Sequence, residues 1–195
     1  MKDYTLYSGG ANGSDIYWEI IGKQFGLETA VHFYHLKKTP FGNTQITEKE
    51  YDEGKLQVTA AAKQMGRITS SQKISHPLLI RNWAQVSNSD AIFAISTIVE
   101  KNNLLKDGRL AKIDQVEGGT GYAVQMAINN KKQVYVFDQE LKMWFTYYEP
   151  AKRFLLCGIP GLTKNFAGIG TRELNEFGIQ AIKDVYEQTN IKENT

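Results

Sequence analysis

The sequence predicts an α/β fold of Rossmann-like type: a mostly parallel sheet with helices on both faces. Three observations carry that prediction. Short runs rich in apolar and β-branched residues alternate with longer amphipathic runs, the order that builds parallel strands joined by helices. Asp90-Ala-Ile-Phe-Ala-Ile95 is nearly unbroken in its apolar character, as is a strand covered on both faces. Glycine-rich turns at Ser8–Asp15, Glu117–Tyr122 and Gly168–Glu173 each stand between a strand-like and a helix-like segment. On parallel strands such turns gather at one sheet edge, outside the carboxyl ends of the strands, where ligands bind.

Tyr4-Thr-Leu-Tyr7 opens the chain as a buried strand. A helix follows from about Ser14 to Phe25, with Ile16, Ile20 and Ile21 on one face and Gly26 at its end. Thr29 to Tyr34, β-branched and aromatic, is the next strand, and Lys37 to Thr47, with Pro40, Gly42 and Asn43, is a polar loop. Thr47 followed by Glu50 forms a capping box, so a helix runs from there to Gln64, with a bend near Gly54. A further helix starts near Ser75, tolerates Pro77 in its first turn, and carries Leu79, Ile80, Trp83 and Val86.

After the strand at 90–95, Glu100 to Gln115 is polar and irregular, an insertion long enough to act as a lid. Tyr122 to Asn129 is helical, Gln133 to Phe137 a strand, and Met143 to Tyr148 a further strand, antiparallel at the edge. Pro150 to Lys164, with two prolines and two glycines, crosses the surface as a connection. Phe166 to Ile169 is a short apolar strand, and the final helix sets Leu174, Phe177, Ala181 and Val185 on one stripe against the sheet.

The length of 195 residues suits one domain over 1–190 with a polar tail at 191–195. No stretch is apolar for long enough to cross a bilayer, and the start lacks the basic and apolar regions of a signal peptide. Both point to the cytoplasm and away from membranes. Cys157 is the sole cysteine, which excludes an intrachain disulfide and a cysteine-cluster zinc site; it reads as an inert, partly buried thiol. A net charge of +2 disfavours a nucleic-acid surface, which rests on many phosphate contacts from a basic face. His32, His35 and His76 form no persuasive metal set, so no metal is expected.

The glycine turns hold the candidate site. Ser8, Gly9, Gly10, Ala11, Asn12, Gly13, Ser14 and Asp15 form the first turn; Gly118, Gly119, Thr120 and Gly121 the second; Gly170, Thr171 and Arg172 the third. Glycines let the backbone approach an anion, and a helix N-terminus aims free N–H groups and a positive dipole end at it. The other reading of the first turn is a tight strand-to-helix connection capped by Ser14 or Asp15.

The run Ser8-Gly-Gly-Ala-Asn-Gly-Ser-Asp15 resembles the Ser-Gly-Gly-Ala-x-Gly-x-Asp loop of the DNA-processing protein A family, within the superfamily (SLOG) that it shares with the lonely-guy phosphoribohydrolases. Arg81-Asn82 ahead of Asp90 to Ser96 resembles that family's Arg-Asn helix and following strand, and Gly118 to Ala127 its second phosphate-facing loop and helix. The family's opening strand and its Gly-Ser-Arg or Gly-Thr-Arg turn precede the Ser-Gly-Gly-Ala loop. Here the matching Phe166-Ala-Gly-Ile-Gly-Thr-Arg-Glu173 closes the chain, so the order resembles a circular permutation.

The resemblance implies a nucleotide or nucleotide-derived ligand with its phosphates on the first two turns, and it implies a homodimer. Arg81 and Arg172 are the cations expected beside it, each with a structural salt bridge as the other reading. Asn82 is open between a base contact and a local hydrogen bond, Asp15 between a ribose contact and a cap. The lonely-guy catalytic glutamate falls on Gln125, which cannot ionise, and its threonine falls on Tyr122; Glu117 and Glu173 are the carboxylates that remain as catalytic candidates. The leading expectation is binding of the nucleotide for sensing or sequestration, with no further cofactor. The alternatives are a nucleotide hydrolase of phosphoribohydrolase or N-glycosidase type and a single-stranded DNA-binding module.

Overall fold

A computed structural model describes residues 1–35, 38, 41–67 and 76–193, without the side chains of 191–193. The expectations for Lys37, Pro40, Ser75 and residues 194–195 lie outside the described residues. The elements run β1 (Thr5–Ser8), α1 (Ser14–Gln24), β2 (Thr29–Tyr34), β3 (Thr44–Gln45), α2 (Glu48–Met65), α3 (Pro77–Asn88), β4 (Ala91–Ser96), β5 (Ile98–Val99), β6 (Gln115–Val116), α4 (Thr120–Asn129), β7 (Gln133–Asp138), β8 (Met143–Tyr148), β9 (Arg153–Leu156), β10 (Asn165–Gly170) and α5 (Glu176–Glu193).

Eight strands make one sheet in the order β3-β2-β1-β10-β4-β7-β8-β9. The first six are parallel to their neighbours, while β8 pairs antiparallel with both β7 and β9. β10, the last strand in the chain, lies at the centre between β1 and β4, with Leu6 opposite Phe166 and Phe93 opposite Gly168. This is the α/β Rossmann-like architecture.

The pleat divides the central strands between two cores. On one face Ala91, Phe93, Ile95 and Phe166 pack on Trp18 and Ile21 of α1 and on Ile182, Val185 and Tyr186 of α5. On the other, Ile92, Ala94, Ala167 and Ile169 pack on Val58 and Met65 of α2, Ile80 and Ala84 of α3, and Val124 and Met126 of α4. β4 is buried along its whole length because helices cover both of its faces. Gly168 makes room for Trp18, whose ring carbon Cγ stands 2.5 Å from where a Cβ on Gly168 would sit.

Several expectations change. In α1 the buried face is Ser14, Asp15, Trp18, Ile21 and Gly22, while Ile20 is exposed; the large indole takes the core position. α2 runs unbroken through Gly54, which is where it lies against Ile80. The Thr47–Glu50 capping box is present in full. The 37–47 loop contains the short β3. β8 is not the edge strand, because the 150–164 connection folds back as β9, Phe154 being the buried residue that anchors it. On α5 the stripe is Ala181, Ile182, Val185 and Tyr186, whereas Phe177 is exposed and Leu174 precedes the helix. α5 also continues to Glu193, into the stretch expected as a tail. The 100–115 insertion is irregular, closed at its ends by the β5–β6 pair and within by a bridge between Leu104 and Leu110.

Candidate functional site

The carboxyl ends of β1, β10, β4 and β7 open into a cavity of about 660 Å³. Its lining draws on all three glycine turns: Ala11 and Asp15 from the first, Gly118, Gly119 and Thr120 from the second, Gly170, Thr171 and Arg172 from the third. Arg81 and Asn82 of α3 face it, as do Glu117 and Glu173. A volume of this size falls within the range of small-molecule sites.

The other candidates of the first and second turns, Ser8, Gly9, Gly10, Asn12, Gly13, Ser14 and Gly121, lie outside that lining. Those with evident contacts hold the turns in place. Ser8 Oγ accepts from the Gly10 N–H at 3.5 Å and donates to the Asp15 carbonyl at 3.4 Å. Gly13, at φ +97°, lies so close to the third turn that a Cβ there would come within 2.6 Å of Arg172 Cα and of the Thr171 carbonyl oxygen. Ser14 gives its backbone N–H and its hydroxyl to that same oxygen. Gly121 permits helix α4 to start against β6, since a Cβ would come within 2.0 Å of the Val116 carbonyl oxygen.

The two helix N-termini offered as anion seats therefore differ. At α1 the N-cap is Gly13 with no side-chain cap, so neither Ser14 nor Asp15 fills that role. Two of the local donors are engaged: Ser14 N–H by Thr171, and Ala11 N–H by Asp15 Oδ2 at 3.4 Å. At α4 the N-cap Gly119 also lacks a side-chain cap, but Gly118, Gly119 and Thr120 all face the cavity, and a Cβ on Gly118 would meet nothing within 4 Å. The open positive dipole end is that of α4.

Gly9 is the floor on which the charged groups converge. A Cβ there would lie 2.6 Å from Arg81 Nη2, 2.7 Å from Asp15 Oδ2 and 2.9 Å from Gln85 Nε2. Asp15 is buried, and loss of hydration pushes its carboxyl from an ordinary 3.8 up to about 6, against the downward pull of Arg81, of the Ala11 and Gly170 amides and of His32. Burial pulls Arg81 below the usual arginine value, and Arg172 adds to this while Asp15 opposes it. Arg81 is 7% exposed, and its Nε–H has no partner among the described residues; the same is true of Gln85 Oε1. Such orphaned polar atoms on a cavity wall are what a ligand would satisfy.

Arg67 and Tyr122 belong to the site although neither was a candidate in its own right. Arg67 donates Nε to Gln115 Oε1 at 2.9 Å, Nη1 to the Gly118 carbonyl at 2.6 Å and Nη2 to the Val116 carbonyl at 2.6 Å, with its guanidinium 5.1 Å from the Tyr122 ring centre. It holds the second glycine turn from beneath and brings a buried positive charge to its underside. The one sequence hint is Gly66, the left-handed C-cap that turns the chain out of α2 immediately before it. Leu78, Leu79, Leu105, Tyr122 and Ile169 give the cavity apolar wall. Trp83, Trp144, Tyr34, Tyr147 and Tyr148 do not line it.

Of the two candidate catalytic acids, Glu117 is bound by the backbone N–H groups of Lys106 at 2.8 Å and Gly118 at 3.2 Å. Glu173 is an exposed carboxylate 3.7 Å from Lys106 Nζ, a pair that joins the insertion to the third turn across the cavity mouth. Gln125 lies off the cavity, its Nε2 donating to Asn129 Oδ1. His32 Nε2 meets Glu19 Oε2 at 2.8 Å, His35 stacks on Tyr51, and His76 Nδ1 accepts from the Leu78 N–H at the start of α3. Among the described residues no three His, Cys, Asp or Glu side chains cluster as a metal site, and no helix is long and apolar enough to cross a membrane. Comparison with protein-family models, with curated proteins and with solved structures finds no match to this chain.

Proposed function

We propose that the protein binds a nucleotide or a nucleotide-derived small molecule in this cavity, for sensing or sequestration. The observation that carries the reading is the convergence of three glycine turns and the buried, incompletely partnered Arg81 on one cavity at the carboxyl ends of a parallel sheet. The open N-terminus of α4 suits a phosphate, Arg172 and Arg81 suit its oxygens, and the apolar wall from Leu79 to Ile169 suits a base. Membership of the SLOG superfamily in circularly permuted order belongs to the same reading; its support is the central place of β10 beside β1, which lets the closing strand supply a turn next to the opening one.

Binding is favoured over turnover because Glu117 is engaged by two backbone amides and Glu173 stands in solvent. A cytoplasmic location and a homo-oligomer complete the proposal. Native mass spectrometry of the freshly purified protein, followed by calorimetric titration with mono- and dinucleotides, tests it. A retained or titrated nucleotide released unchanged supports the reading; a chromatographic product replaces it with the hydrolase; failure of every nucleotide to bind ends it.

A further inference from the structure

We propose, resting on the nucleotide reading, that an anionic group of the ligand docks on the Arg81 guanidinium and that Asp15 takes up a proton from solvent as it does so, making this site bind more tightly in acid. Arg81 is buried on the cavity wall with Nε–H unused among the described residues, so an acceptor is missing. Asp15 Oδ2 and Arg81 Nη2 meet over Gly9, each within 2.7 Å of one point in space. An anion received by Arg81 therefore arrives beside the Asp15 carboxylate, and two negative charges cannot share that small, poorly hydrated space without one becoming neutral.

A phosphodiester or pyrophosphate stays ionised through the neutral range, so the group that yields is Asp15. Burial already holds its carboxyl at about 6, within easy reach of protonation. The step is balanced as carboxylate plus proton to carboxylic acid, with no other bond made or broken. The implied ligand group is a strong-acid anion whose charge persists in acid.

The groups facing Asp15 are Arg81 on α3, His32 on β2 with its partner Glu19 on α1, and, acting on Arg81, Arg172 after β10. Arg67, Lys106, Asp107, Arg109, Glu117 and Glu173 occupy other parts of the cavity wall. His32, whose field acts on Asp15, serves as the control.

The test uses sulfate, whose charge is fixed across the neutral range, with ¹³C detection of the Asp15 carboxyl. Saturating sulfate is expected to raise the carboxyl midpoint by about one unit, which corresponds to about tenfold tighter sulfate binding below the free midpoint than well above it. Asp15→Asn should still bind sulfate with the pH dependence gone, and His32→Gln should keep it. A midpoint unmoved or lowered by sulfate overturns the proposal, and so does loss of the pH dependence in His32→Gln. Should Asp15→Asn not fold, the carboxyl titration of the unsubstituted protein decides alone. Proton-linked sulfate binding in a protein that takes no nucleotide upholds this inference while ending the nucleotide reading; nucleotide binding with no proton uptake, read from calorimetry in buffers of different ionisation enthalpy, does the reverse.

Discussion

Ser14 donates both its backbone N–H, at 3.1 Å, and its hydroxyl, at 2.8 Å, to a single acceptor, the carbonyl oxygen of Thr171. The head of the chain is thereby fastened to its tail at the rim of the cavity. Ser14→Ala leaves that carbonyl with its backbone donor and is expected to cost about 1 kcal/mol in urea unfolding. Gly13→Ala forces a side chain into a left-handed backbone position and against Arg172 and Thr171, and is expected to cost more than about 2 kcal/mol. Equal costs would refute the close-contact account of Gly13.

The folded protein holds the Asp15 proton more tightly than an unfolded chain does, about 6 against 3.8. Folding then binds extra protons between those values, so the contribution of the protonated carboxyl is full in acid and is lost as pH rises through about 6. By neutrality the ionised form costs roughly 3 kcal/mol relative to the protonated one. Asp15→Asn is expected to exceed the parent in stability at neutral pH by about 1–3 kcal/mol and to flatten the stability profile over this interval. A variant profile as steep as the parent's would assign the titration elsewhere.

Arg81 draws the Asp15 carboxyl downward. Arg81→Met removes that field and is expected to move the ¹³C titration midpoint of Asp15 upward from about 6 while cutting nucleotide affinity by at least about tenfold, the value of one charge-assisted contact. An unchanged affinity would remove Arg81 from the ligand site, whatever happens to the midpoint.

Arg67 satisfies three acceptors, of which Gln115 Oε1 and the Val116 carbonyl are buried while the third is the carbonyl of the exposed Gly118; Val116 and Gly118 stand on either side of Glu117. Arg67→Ala is expected to cost roughly 2–4 kcal/mol, because it orphans two buried acceptors at once. Amide hydrogen exchange should quicken most over Gly118–Tyr122. Uniform quickening across the sheet would mean that Arg67 supports the fold at large and not this turn.

Lys106 and Glu173 are both mostly exposed, so their contact is expected to change stability by less than about 0.5 kcal/mol when Lys106 becomes Gln. If the pair steadies the insertion over the cavity mouth, exchange at Leu105 and Gly108 should rise in the variant and, in the parent, with added salt. Unaltered exchange in both would leave the insertion anchored by its other contacts, among them Glu117 on the Lys106 N–H.

Local pattern made much of this protein legible. The Thr47–Glu50 box, the unbroken apolar run at 91–95, the aromatic strand at 143–148 and the glycine turns each follow from chemistry within a few residues, and each is found where the chain placed it. Failures came where burial is settled by a distant partner. The aliphatic stripe through Ile16 and Ile20 loses to Trp18 because Gly168, far along the chain, opens space for an indole. β9 escaped because its short, half-exposed pattern becomes a strand only once β8 supplies donors and acceptors.

The sequence by itself determined the α/β class and the turns that carry the cavity, since alternating periods and glycine spacing are local properties. Only the tertiary structure decided how each turn meets the cavity: at α1 the Ser14 N–H is taken by Thr171 and the Ala11 N–H by Asp15, while at α4 Gly118, Gly119 and Thr120 line the cavity with Glu117 on the Gly118 N–H. It alone also brought Arg67 beneath Gly118 and set Asp15 against Arg81 over Gly9. The physical reason is that hydration and electric field depend on what surrounds a group in three dimensions. A carboxyl's proton affinity or an arginine's unused N–H is therefore a property of the packed fold and not of its neighbours in the chain.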